Sequence, residues 1–96
     1  MQALHATVRG MVQGVGFRYS ALSSARRLGL EGWVRNNFDG SVETRAIGET
    51  GDIDAYLTWL GEGPPHARVD AVHISYRGEA RESDRDLAGN GFTVTF

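Results

Sequence analysis

Cysteine and lysine are both missing from this 96-residue sequence. Without cysteine there can be no disulfide, no thiolate metal ligand and no cysteine nucleophile. Without lysine there is no Walker lysine, no Schiff-base lysine and no lysine general base, since all ten basic residues are arginine. The arginine bias has two readings, codon usage in a GC-rich genome or adaptation to heat, and it is a poor marker of the second. Long apolar runs are absent as well, so nothing matches the roughly 20 consecutive apolar residues of a membrane-spanning helix. Met1 to Ala6 lacks a basic start followed by an apolar stretch, so no secretory signal is read there and a cytoplasmic address is the expectation. The net charge of −2 comes without any block of like charge. That argues against a nucleic-acid binder working through many phosphate contacts, which needs a basic face. It leaves room for one local anion site, because a single guanidinium does not need a basic protein around it.

What is present is an ordinary globular balance, 41% hydrophobic and 23% charged. The length suits one domain, residues 1–96, with one core. Ala3 to Arg9 alternates, with Leu4, Ala6 and Val8 on one side and His5, Thr7 and Arg9 on the other, which predicts a half-buried strand. Gly10 to Gly16 reads as a glycine-bearing turn. Phe17, Ala21, Ala25 and Leu28, with Leu22 alongside, fall at helical spacing, and Gly29 suits the residue that ends a helix.

Leu30 to Asn36 and Ser41 to Ile47 read as strands joined by a turn at Asn37-Phe38-Asp39-Gly40. A second helix, capped by Thr50 or Asp52, carries Ile53, Tyr56, Leu57 and Leu60 as its apolar stripe and stops at Gly61, Gly63 and Pro64-Pro65. Arg68 to Tyr76 reads as a fourth strand with Val72, Ile74 and Tyr76 on one face. Gly78 to Asn90 is polar and reads as a mobile loop. Phe92, Val94 and Phe96 alternate in a last strand. The order β-α-β-β-α-β-β, with two helices that must each bury one stripe, predicts an α+β fold: a two-layer sandwich of the split βαβ kind.

Val8-Arg9-Gly10-Met11-Val12-Gln13-Gly14-Val15-Gly16-Phe17-Arg18 joins a strand end to a helix start. Unpaired backbone N–H groups and the positive end of the helix dipole favour an anion there. Three glycines allow the loop to fold tightly around one. Arg18 lies in the first helical turn, where a cation is disfavoured unless it meets an anion, and a guanidinium fork can hold two phosphate oxygens. No Gly-Lys-Ser/Thr follows, so this is not a Walker loop, and Tyr19 stands where a dinucleotide fingerprint needs its third glycine. Taken alone, the segment is also compatible with a plain structural turn.

The residue pattern narrows this. Val8 to Arg18 closely resembles the first acylphosphatase signature, aliphatic-x-Gly-x-Val-Gln-Gly-Val-x-Phe-Arg. The second signature, Gly-aromatic-Val-basic-Asn, three residues, Gly-x-Val and a further glycine, is matched by Gly32-Trp33-Val34-Arg35-Asn36, Gly40-Ser41-Val42 and Gly48. No fixed position of either pattern departs. The likeness extends to the second helix, Gly63-Pro64, Val69-Asp70 and the strand containing Phe92, but not to Gly78–Asn90. The resemblance implies a ferredoxin-like fold with two helices on one face of a five-stranded sheet. It also implies hydrolysis of an acyl phosphate, a carboxylic–phosphoric mixed anhydride, to carboxylate and inorganic phosphate. By carry-over, Arg18 and the amides of Gln13, Gly14, Val15, Gly16, Phe17 and Arg18 hold the phosphoryl group, and Asn36 positions the attacking water. No cofactor or metal is expected. The expected partners are a small acyl phosphate and inorganic phosphate as product and competing ligand, with the chain acting as a monomer and with neither nucleic acid nor membrane involved.

Other residues offer less. His5, His66 and His73 are scattered and share no ligand spacing. Asp84 and Asp86, beside Glu82, read as a solvated face. Ser20, Ser23 and Ser24 have no evident base. Trp33 and Trp59 read as packing residues, Arg9 and Arg35 as surface charges and Asn37 as a turn residue. Two other functions use a fold of this kind. An RNA-binding module would need aromatics on its central strands, where His5, Thr7, Arg9, Glu43 and Arg45 stand instead. A domain that binds an acyl phosphate for a larger partner is the other, since the same motifs occur in longer hydrogenase-maturation proteins; the chain length and a final strand ending at Phe96 favour a free-standing enzyme.

Overall fold

A computed structural model describes residues Met1 to Phe96. In β1 (Gln2–Met11) the alternation works as expected, burying Leu4, Ala6 and Val8 on one side. β3 (Val42–Gly48) pairs antiparallel with it, and the partners Leu4↔Ala46, Ala6↔Thr44 and Val8↔Val42 place their side chains on that same buried face. β2 (Glu31–Asn36) pairs antiparallel with the far edge of β3 and adds Val34. β4 (Arg68–Glu79) flanks β1 antiparallel, and β5 (Phe92–Thr95) runs parallel to β2. The sheet order is β4-β1-β3-β2-β5. β1 and β2 are thus joined through a helix while β3 lies between them, the split βαβ arrangement.

Two helices cover the apolar face. α1 (Phe17–Arg27) buries Phe17, Ala21 and Ala25, and α2 (Thr50–Glu62) buries Ile53, Tyr56 and Leu60. Each large apolar side chain so buried contributes about 1.5–3 kcal/mol. Tyr56 fixes the depth of α2: its hydroxyl lies 2.8 Å from Thr44 Oγ1, which itself donates to the Trp33 carbonyl at 2.8 Å. Thr44 has one proton to give, so Tyr56 is the donor in this buried pair. The α+β ferredoxin-like sandwich read from the sequence is the observed architecture.

Several local expectations are corrected. β1 continues to Met11, so Gly10 belongs to a strand rather than a turn; a Cβ there would sit 2.1 Å from the Arg68 carbonyl, and only glycine allows β4 so close. Glu49, not Thr50 or Asp52, is the N-cap of α2, and it makes no side-chain cap bond. Tyr76 does not share a face with Val72 and Ile74. Ala6 pairs with Ile74 but His5 pairs with Tyr76, so Ser75 is an extra residue that turns Tyr76 to the other side of the sheet. There it packs on Ala3, Ile47 and Ala80.

Gly78 to Asn90 is not a simple loop. β4 extends to Glu79, and α3 (Glu82–Arg85) follows as a short third helix. Asp84 is buried rather than solvated, bonded to Arg45 at 2.5 Å and to Arg81 at 2.9 Å, which pins this segment against the open face of the sheet. Asp86 is exposed as expected.

Candidate active site

The loop Val12–Gly16 leaves β1 at the central part of the sheet and delivers the chain to α1. Gly14 and Gly16 have φ of 76° and 77°, the left-handed region that glycine enters without steric cost. Gly16 is the N-cap of α1, so no side chain occupies the capping position, and no acidic residue stands in the first turn. The first-turn N–H groups therefore keep their attraction for an external anion.

Arg18 is half-buried at this end of α1. Its Nη1 donates to the Thr95 carbonyl at 3.4 Å and its guanidinium carbon lies 4.9 Å from the centre of the Phe96 ring. Asn36, the last residue of β2, shares the helix-covered side of the sheet with Val34. Its Oδ1 is buried without a hydrogen-bond partner. A buried acceptor left so costs about 1–3 kcal/mol, a cost that a donor such as water would remove.

Arg18 and Asn36 line one cavity of about 150 Å³, together with Val12, Gly14, Gly16, Phe17 and Tyr19. Arginine is the single charged residue in that lining; no carboxylate or histidine reaches it. Two members of the expected phosphate loop, Gln13 and Val15, do not line it. Val15 packs on the core, whereas the Gln13 side chain donates to the carbonyls of Asn37 at 2.8 Å and Ser41 at 2.9 Å. The glutamine thus ties the loop to the turn that follows Asn36. Sequence reading missed Val12 and Tyr19 as cavity residues; Val12 stands in the first signature and Tyr19 follows Arg18 directly, which was the available signal.

A second cavity of about 570 Å³ adjoins the first and shares Asn36 with it; Arg35, Phe38, Asp39, Glu43 and Phe96 are among its walls. Its charged groups are engaged with one another or with neighbours. Asp39 accepts from Ser41 Oγ at 2.6 Å, Ser41 N at 3.0 Å and Arg9 Nη1 at 3.0 Å, which together lower its pKa to about 2. Burial pushes the Glu43 carboxyl up more than any other single effect, but hydrogen bonds from His5 at 2.5 Å and Arg35 at 2.9 Å jointly outweigh it and leave the pKa below the usual value. Arg9 and Arg35 are, as expected, surface ion-pair partners. Trp59 is a packing residue, 5.2 Å from Phe17 between ring centres, while Trp33 lies on the open face with the Arg35 guanidinium 4.8 Å from its ring. His66 and His73 are exposed and line neither cavity.

A glycine loop at a helix start, with one guanidinium and one unpartnered amide oxygen but no acid or base in the lining, suits a reaction that needs positive potential and a placed water. Comparison with known proteins points the same way. The family model described as acylphosphatase matches residues 4–92. A protein of Anaeromyxobacter sp. (strain Fw109-5) named acylphosphatase is 53% identical over 72 residues, covering 75% of this chain and 77% of that one. Among solved structures, an acylphosphatase from Bacillus subtilis superposes with a TM-score of 0.88 at 29% identity and full coverage of both chains. Full-length HypF in a phosphate- and nucleotide-bound form gives a TM-score of 0.81 at 29% identity, over 99% of this chain but 12% of HypF.

Proposed function

Because the chain belongs to the acylphosphatase family, we propose that it hydrolyses acyl phosphates with Arg18 as the phosphate clamp and Asn36 as the residue that orients the attacking water. The observation that carries this reading is the single cavity holding both side chains beside the glycine loop, with no acid, base or second charge in its lining. The Arg18 guanidinium and the amides around Gly14 to Arg18 receive the phosphoryl oxygens, and their positive potential stabilises the charge on the transferring group. Asn36 Oδ1, unpartnered and buried, accepts a hydrogen bond from the water and sets its approach to phosphorus.

The absence of a general acid fits the leaving group. A carboxylic acid has a pKa of roughly 4, so carboxylate departs as an anion at neutral pH without a proton. Phosphoryl transfer then rests on position and charge stabilisation. Inorganic phosphate, the product, competes for the same cradle. We further read the protein as a monomer with a cytoplasmic address; size-exclusion chromatography with light scattering tests the first.

Substrate class tests the mechanism. Hydrolysis of benzoyl phosphate is expected to be rapid and that of glycerol phosphate negligible, because an alkoxide leaving group needs help this cavity does not offer. Phosphate release would be measured at matched concentrations with Arg18→Ala as the blank. Comparable rates on the two substrates would mean an acid or metal that this reading lacks. The HypF likeness favours one other reading, in which the same cradle serves a larger protein; copurification with a partner, and activity that depends on it, would select that reading.

A further inference from the structure

The cavity of about 150 Å³ around Arg18 and Asn36 has room for roughly five water-sized groups, about what a phosphoryl group and one water occupy. The acyl part of any substrate must therefore lie outside it. The space that adjoins is the cavity of about 570 Å³, which meets the cradle at two places: it shares Asn36, and its Phe96 ring lies against the Arg18 guanidinium. That volume is typical of a site for a small organic ligand.

The walls of this cavity sort into two kinds. Arg35 is bonded to Glu43 and stacked on Trp33, and Asp39 is bonded to Arg9 and Ser41, so the charges are already matched. An acyl group bearing its own charge gains little from them. Phe38 and Phe96 are different: both are almost fully exposed and neither ring stacks on another aromatic ring. Phe38 sits at the tip of a turn, where composition favours Gly, Asn, Asp and Ser and nothing in the fold calls for a large apolar side chain.

We infer that the larger cavity seats the acyl part of the substrate and that Phe38, with Phe96, makes the enzyme selective for aromatic or other apolar acyl groups. This rests on the phosphate cradle read above. A flat ring laid against Phe38 and Phe96 removes apolar surface from water on both partners, while a methyl group gains almost nothing from them. Acetyl and benzoyl phosphate expel carboxylates of similar basicity and present the same phosphoryl group to Arg18, so their ratio isolates the acyl contact.

The test is the ratio of kcat/KM for benzoyl phosphate to that for acetyl phosphate, in the wild type, Phe38→Ser and Phe38→Leu. The inhibition constant of inorganic phosphate serves as the check on the cradle. Because Phe38 is on the surface, neither variant disturbs the core. The ratio is expected to fall about tenfold in Phe38→Ser, mainly through KM, and by less in Phe38→Leu, which keeps an apolar surface. A ratio that stays at the wild-type value in Phe38→Ser, or rates that fall equally on both substrates, would overturn the assignment while leaving the cradle intact. A wild type that hydrolyses neither acyl phosphate would overturn the cradle and this assignment together.

Discussion

Arg18 and Asn36 differ in the kind of loss their removal should cause. Arg18→Lys keeps the positive charge but replaces a planar fork with a point donor, so two-point contact with a phosphoryl group is lost. The expected result is a fall in kcat/KM of about a hundredfold or more on benzoyl phosphate, with the near-ultraviolet circular dichroism of Trp33 and Trp59 unchanged. A lysine variant working near the wild-type rate would remove Arg18 from the role of clamp. Asn36→Ala removes the buried acceptor without touching the guanidinium or the loop. Its kcat should drop about a hundredfold while the inhibition constant of inorganic phosphate moves only severalfold, because the proposed partner is water. Parallel losses in both quantities would make Asn36 a binding residue. The arginine could be named from the signature alone, since a cation in the first turn of a helix stands out in a sequence. The orphaned Oδ1 of Asn36 could not, because it depends on what α1 and the loop leave around it.

Elements that are far apart in the chain are held by a few polar ties. Gln13 binds the loop before α1 to the turn after β2, which keeps Arg18 and Asn36 on two sides of one cavity. Asp84 does a similar task for α3: its side chain, 2% exposed, meets Arg45 from β3 and Arg81 at the helix start. The Arg81 guanidinium bonds, followed by its backbone N–H and by Arg45, hold the Asp84 carboxyl well below the usual carboxylate range despite burial. A group with a lowered folded pKa adds stability that is present above its unfolded pKa, near 4, and is lost as pH falls toward the folded value. Asp84→Asn should therefore cost about 2 kcal/mol at neutral pH, since it leaves the partly exposed Arg45 and Arg81 without their carboxylate. It should also flatten the loss of stability below about pH 4, measured as urea midpoints between neutral pH and pH 2. An unchanged acid slope in the variant would show that other carboxylates carry it.

For the whole molecule, the proposed cradle relies on one guanidinium and backbone amides for its positive potential in a protein of net charge −2. No group of three or more His, Asp or Glu side chains is arranged to hold a metal ion. Dialysis against a strong chelator should accordingly leave the rate on benzoyl phosphate unchanged; activity that vanishes and returns with magnesium would contradict the mechanism. The sequence by itself determined the layers and the glycine loop that leads into α1. Alternation and helical spacing are local, so Leu4, Ala6 and Val8, or Ile53, Tyr56 and Leu60, declare their buried faces without knowledge of their neighbours. The loop Val12–Gly16 is equally local, because left-handed glycines and a helix start are properties of adjacent residues. Only the tertiary structure decided the rest. The side on which Tyr76 lies depends on the register of β4 against β1, where one extra residue at Ser75 reverses the alternation. Whether Asp84 is solvated or buried depends on Arg45, 39 positions earlier, and the Gln13 side chain finds its carbonyls 24 and 28 positions later. The acyl cavity exists because the β2–β3 turn and the end of β5 meet beside Asn36. Such pairings join segments that share no local signal, and they form only when the sheet fixes the distance between them.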